Sequence, residues 1–169
     1  MAKAAIALVV ALALGAGGAV AVVKGAFSGG KAVVTRAGTL AITIASARGK
    51  HRFVVETAAT PAAQEKGLMF RTDLTSDGGM LFWPYPAAGG GPREANFWMK
   101  NTPTALDIIF IRADGTIARI AENTVPFSET PVTSGEPVDA VLEIVGGRAA
   151  ELGIAEGDRV TWTKGASAR

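Results

Sequence analysis

The sequence predicts a mainly β domain with an α+β margin: a compact barrel- or sandwich-like body of seven to eight short strands and two short helices. Three observations lead there. Its apolar runs are short and rich in Ile, Val and Phe, as in Leu106-Asp107-Ile108-Ile109-Phe110-Ile111 and Ala140-Val141-Leu142-Glu143-Ile144-Val145. Runs of that length suit strands with both faces covered, whereas buried helices run longer. Gly, Pro and Asp punctuate the chain closely, and Asp114-Gly115 between Ile111 and Ile117 is a strong hairpin signal. Only two stretches carry helix boundaries, and both are stopped by a glycine within two turns.

In chain order, Leu40–Ile44 and His51–Glu56 read as strands joined by a turn containing Gly49. Thr60 is placed to cap a helix whose first position is Pro61, and Gly67 ends it. Met80–Trp83 is a short strand, and 84–92, with Gly89-Gly90-Gly91, a flexible loop. Asn96–Lys100 and Asp107–Arg112 are expected as central strands, with Ile117–Ala121 as the second arm of the Asp114-Gly115 hairpin. Residues 124–137, holding Pro126, Pro131 and Pro137, read as a long surface loop. Ala140–Val145 is a strand, 147–152 a helical turn before Gly153, and Asp158–Thr163 the closing strand.

Ahead of this domain, Ala4–Val23 is uncharged between Lys3 and Lys24. Twenty helical residues span about 30 Å, the hydrocarbon thickness of a bilayer. Residues 1–23 therefore read as a signal peptide or an N-terminal membrane anchor, 24–38 as a linker, 39–165 as one β-rich domain and 166–169 as a tail. The length of the apolar run favours an anchor. The Gly15-Ala16-Gly17-Gly18 break and the Ala19-Val20-Ala21 motif favour cleavage. Either way the domain is expected to be exported, periplasmic or anchored in the cytoplasmic membrane facing outward, with membrane contact through residues 4–23 if they are retained.

Composition removes several function classes. The chain has no cysteine, which excludes disulfides, thiolate nucleophiles and zinc–thiolate centres. It has one histidine, His51, so any Ser-His-Asp triad must use it, and no nucleophile-elbow pattern is present. Seventeen basic residues nearly balance fifteen acidic ones and do not cluster, so no nucleic-acid partner is expected. No cofactor is implied, and Gly89-Gly90-Gly91 lacks the Lys and Ser/Thr of a phosphate loop.

The motif blocks run Gly67-Leu68-Met69-Phe70-Arg71, Gly79-Met80-Leu81-Phe82, Phe97-Trp98-Met99-Lys100-Asn101-Thr102, Leu106–Ile111 with Asp114-Gly115, Val141-Leu142-Glu143, and Gly153-Ile154 with Gly157-Asp158-Arg159-Val160. Together they resemble the family catalogued as domain of unknown function 192, small prokaryotic proteins often exported. The resemblance spans residues 51 to 163. It implies a compact β-rich fold with short helices and no assigned reaction, and it supplies no catalytic residues to carry over.

Three residue sets are the candidates for chemistry. Arg71, Lys100 and Asn101 would together bind a carboxylate or phosphate, with Trp98 as an apolar wall. The competing reading pairs Arg71 and Lys100 with acids such as Asp107 and leaves Asn101 to fix a turn. Asp107 and Glu143 sit in apolar strands, where burial raises a carboxyl pKa toward general acid–base use and hydrolase or lyase chemistry. Met69, Met80 and Met99, with His51, are soft ligands that suit Cu(I) in a periplasmic protein, although methionine beside Phe70, Phe82 and Phe97 equally fills a core. The function expected first is binding of a small anionic ligand or a cell-envelope protein partner, rimmed by loops 84–93 and 124–137. The alternatives are a hydrolase or lyase and a Cu(I)-binding protein.

Overall fold

The computed structural model describes residues 38–163 and two strand fragments, β1 (Val20–Ala21) and β2 (Thr35–Arg36), which pair antiparallel. Most of the expected signal or anchor, most of the linker and the tail lie outside the described residues. The chain divides into two units, Met1–Ala37 and Gly38–Arg169. Among the described residues no helix is long and apolar enough to cross a membrane.

In the second unit, β3 (Thr39–Ser46) and β4 (Gly49–Ala58) form a hairpin, and α1 (Pro61–Lys66) follows. The Thr60 hydroxyl accepts the Ala63 N–H and Gly67 N–H returns to the Ala63 carbonyl, so the cap residues act as the sequence predicts. Next come β5 (Met80–Phe82), β6 (Arg93–Phe97), β7 (Leu106–Ile111), β8 (Ile117–Ala121), β9 (Val132–Val138), β10 (Ala140–Val145), α2 (Arg148–Leu152) and β11 (Arg159–Trp162). Seven strands form one sheet in the order β11-β3-β4-β5-β10-β7-β8. Only β4 and β5 run parallel.

The sheet curls into a half-barrel. Its outer strands meet where Thr116 bridges Arg159, Ile117 N–H reaches Asp158 O and Val160 N–H reaches Gly115 O at 2.8 Å. Gly115 is needed at this seam: its φ is +88°, and a Cβ there would lie 2.9 Å from the Val160 carbonyl oxygen. Curling gives the sheet two apolar faces. Ile42, Phe53, Leu81, Ile109, Leu142 and Ile144 fill the concave side. Met80, Phe82, Ile108, Phe110 and Val141 form the other, covered by Leu68, Met99 and the β6–β9 ribbon through Ala95 and Val138. Strand β7 is buried at every position, Asp107 included.

Two expectations are corrected. Asn96–Lys100 is not a central strand: β6 ends at Phe97 in a two-stranded ribbon with β9, and 98–102 turns, closed by Thr102 N–H to Met99 O at 3.0 Å. Residues 132–138 are strand rather than loop. Pro137 is tolerated because the ribbon bulges between Glu94 and Asn96, where Ser134 Oγ accepts the Ala95 N–H at 2.9 Å.

Asp107 holds the closing helix to the sheet. Its Oδ1 accepts N–H groups of Asn123 (2.7 Å) and Gly147 (2.8 Å), and its Oδ2 accepts that of Ala149 (2.7 Å). An Asn side chain offers one acceptor oxygen, so either orientation turns its NH2 against a backbone N–H. Asp107→Asn is therefore expected to lower unfolding free energy by about 3 kcal/mol, from lost charge-assisted bonds and buried unsatisfied donors. Urea denaturation followed by circular dichroism tests this, and a loss below about 0.5 kcal/mol would contradict the staple.

Candidate functional site

On the convex face the two sheet layers leave a cavity of about 350 Å³. Alternation along β10 builds its floor: Leu142 and Ile144 point to the concave core, while Val141 and Glu143 point the other way. Glu143 is flanked across the sheet by Met80 of β5 and Ile108 of β7. The walls are aromatic. Phe82 and Phe97 meet edge to face at 5.0 Å, Tyr85 lies 5.8 Å from Phe97, and Trp98 completes the lining. Leu68, Met69 and Thr102 close the remaining side.

The loop after β5 is fixed over the cavity by Gln64 of α1. Its amide donates to Ala58 O (3.0 Å) and Pro84 O (2.8 Å) and accepts Ala87 N–H (3.0 Å). This one side chain ties the end of β4, the helix and the loop together, and it lines the cavity itself. Lys66, Arg93 and Lys100 also line the cavity, and among the described residues none of the three makes an ion pair. Lys100 Nζ stands 5.1 Å from the centre of the Trp98 ring. Glu65 is the one acid alongside them apart from Glu143.

Glu143 is the chemically unusual group. It is 4 % exposed, and no hydrogen bond or ion pair reaches its carboxyl among the described residues. Burial alone pushes its pKa up to about 8. A carboxyl that keeps its proton near neutrality can donate a hydrogen bond or act as a general acid. The carboxylate pair expected of a glycosidase is not assembled with Asp107, which points to the opposite face and is saturated by three backbone donors.

Of the expected anion-binding set, Trp98 and Lys100 line the cavity, whereas Arg71 and Asn101 do not. The Arg71 guanidinium is committed to Asp73 (2.6 Å) and Glu56 (3.0 Å), which raise its pKa, and in turn it holds the Asp73 carboxyl below the usual range. Asn101 is exposed and occupies the left-handed region with φ +53°, fixing the turn. The methionines serve different purposes. Met69 lines the cavity, Met80 packs beside Glu143, and Met99 is buried with its sulfur 3.1 Å from the Thr124 hydroxyl. His51 lies at the other end of β4, 2.9 Å from Ser46 Oγ. Residues of the 84–93 loop line the cavity, and none of 124–137 does.

Sequence reasoning missed Gln64, Lys66, Tyr85 and Arg93. A polar residue on a short helix reads as solvated, and nothing in the local pattern reveals which loop it will hold. The signal for Glu143 was present: a lone acid inside Val-Leu-Glu-Ile-Val, in register with apolar residues.

The sequence matches the model of the DUF192 family, described as uncharacterized ACR, over residues 43–162. A crystal structure of a protein of unknown function from Novosphingobium aromaticivorans DSM 12444 is similar, with 46% identity over 76% of this chain and 86% of that one, at TM-score 0.69. A Sinorhizobium meliloti 1021 protein described as a "putative transcription regulator" shares 42% identity over 73% of this chain and 93% of its own, at TM-score 0.68. Among curated proteins none matches.

The Glu143 shift sets a pH dependence of stability. Its folded pKa is raised from 4.5 to about 8, so between those values the folded state retains a proton that the unfolded state releases. Stability is then expected to fall as pH rises through that window, with a slope approaching about 1.4 kcal/mol per pH unit. Urea midpoints for the wild type and Glu143→Gln between pH 4.5 and 8.5 measure it. Parallel curves for the two proteins would show that Glu143 titrates normally.

Proposed function

The chain belongs to the DUF192 family of uncharacterised proteins, and from the geometry of its cavity we propose that the domain binds a small anionic molecule with an apolar body. The observation that carries the reading is three cations, Lys66, Arg93 and Lys100, that have no ion-pair partner among the described residues and stand around an aromatic cavity of about 350 Å³. That volume is at the lower end for small-molecule sites. Surface cations usually gain little from fixed partners, but cations at the mouth of a low-dielectric cavity focus an anion toward it. The apolar body would lie against Phe82, Phe97 and Trp98, and Lys100 and Arg93 would meet the anionic group. In this proposal the apolar residues 4–23 deliver the domain outside the cytoplasmic membrane, where such a ligand would be met.

A second reading, docking of an envelope protein, is favoured by exposed apolar side chains near the same turn. Phe70 is 69% exposed and Phe127 63%. Both hold positive φ, and their N–H groups bind the Asn101 and Thr102 carbonyls. Bulky residues rarely adopt that conformation, and such strain clusters at functional sites.

A thermal-shift screen of the full chain against aliphatic and aromatic carboxylates, phosphates and sulfonates separates the two. A ligand at about 100 times its dissociation constant stabilises the fold by about 2.7 kcal/mol, a rise of several degrees. Lys100→Ala and Arg93→Ala should each weaken binding about tenfold while leaving the unliganded melting temperature within about 2 °C. A blank panel with all variants folded would remove the anion site and favour the docking reading.

A further inference from the structure

We infer that the inner end of the cavity recognises an ammonium group, so that the ligand is a small zwitterion whose amine meets Glu143 while its anionic group stays at the Lys66, Arg93 and Lys100 rim. The inference rests on the small-molecule reading and adds the chemical class. Its basis is an almost fully buried carboxyl that lines a cavity and has no partner among the described residues. A polar group left unpaired in the interior costs stability, and native structures rarely keep one without a purpose.

The surroundings decide what the missing partner is. Phe82, Tyr85, Phe97 and Trp98 line the same cavity, and aromatic side chains attract a cation over their faces. An anion pushed to the floor would face both the carboxyl and those rings. An apolar group would leave the carboxyl unpaired. A protonated amine supplies several donors to the carboxyl and is attracted by the aromatic faces, the combination by which proteins hold ammonium groups.

The other charged or titratable groups facing the cavity are Glu65 and Lys66 of α1, Tyr85 and Arg93 of the covering loop and ribbon, and Lys100 of the turn. Strands β5 and β7 bring only Met80, Phe82, Ile108 and Phe110 against the floor, since Asp107 points to the opposite face. Glu56 of β4 lies in the same cross-strand row beyond Met80, but it is paired with Arg71 and does not line the cavity. No second acid from the sheet therefore lines the cavity to compete for the amine, and the cations all belong to elements above the sheet.

The proton balance makes the inference measurable. The free site holds Glu143 as the neutral acid, because burial disfavours its charge. Binding converts it to a carboxylate paired with the ligand's ammonium, and the proton leaves to buffer. No bond in the ligand is made or broken.

Isothermal titration calorimetry of the full chain at pH 7, in Bis-Tris and in Tris chloride at matched ionic strength, reads proton release from the difference in apparent enthalpy. The probes are β-alanine, 4-aminobutyrate, 2-aminoethylphosphonate and L-phenylalanine, against butyrate and 3-phenylpropionate without the amine and butylamine without the anion. The expected result is binding of at least one zwitterion with release of close to one proton, at least tenfold weaker binding of its amine-free counterpart, and loss of proton release in Glu143→Gln. Amine-free anions that bind as well, through Lys100 and without proton release, would overturn the ammonium assignment and leave the anion site standing. Butylamine binding as tightly as the zwitterions, with proton release, would keep the amine contact and overturn the rim. A panel in which no probe binds overturns both readings.

Discussion

The fold depends on how the β7–β10 pair handles carboxyl groups inside an apolar sheet. Strand β7 carries Asp107 amid Leu106, Ile108, Ile109, Phe110 and Ile111, all buried. The acid is stable there because three backbone N–H groups converge on it, from the loop after β8 and from the start of α2. A carboxylate with that many donors needs no counter-ion. The same bonds supply Gly147 and Ala149, at the start of α2, with the acceptor that helix N-termini require. The chain after β10 is thereby directed toward β11, whose contact with Gly115 and Thr116 closes the half-barrel.

Glu143, one strand away, is the opposite case. Its strand neighbours are equally apolar, but its face of the sheet meets side chains rather than backbone donors. The two acids are close in the sheet and differ by one step of strand alternation. That step sends one into a nest of N–H groups and the other into a cavity. The first is part of the architecture. The second is a carboxyl lining a cavity, with its pKa raised by burial, and a perturbed acid in a cavity is where chemistry or recognition is to be sought.

The elements around the cavity divide by rigidity. Its floor belongs to the sheet, and its far wall to a ribbon pinned by Ser134 and Val138. Its mouth is formed by turns: the loop held by Gln64, which contains cis peptide bonds before Pro84 and Pro86, and the 98–102 turn carrying Trp98 and Lys100. A rigid floor with polar groups displayed on turns is the arrangement in which recognition residues vary while the scaffold stays fixed. Arg71, by contrast, is spent on Glu56 and Asp73, which shows why a cation in a motif block is not by itself a ligand contact.

By itself the sequence determined the seven strands of the main sheet, the Thr60 cap of α1, the glycines that end both helices and the Asp114-Gly115 hairpin, because strand alternation, capping and turn chemistry are local properties. It also marked Asp107 and Glu143 as acids in apolar runs, and Trp98 and Lys100 as site candidates. Tertiary structure decided what those marks mean. Whether a buried acid finds three N–H groups or none depends on segments some 16 to 42 residues away, such as Asn123 and Ala149 for Asp107. The placement of 93–97 in a separate ribbon, the pairing of 132–138 despite its proline and the position of Gln64 beneath a loop were likewise invisible in the chain. Each is a contact between distant segments, and only the curl of the sheet brings those segments together.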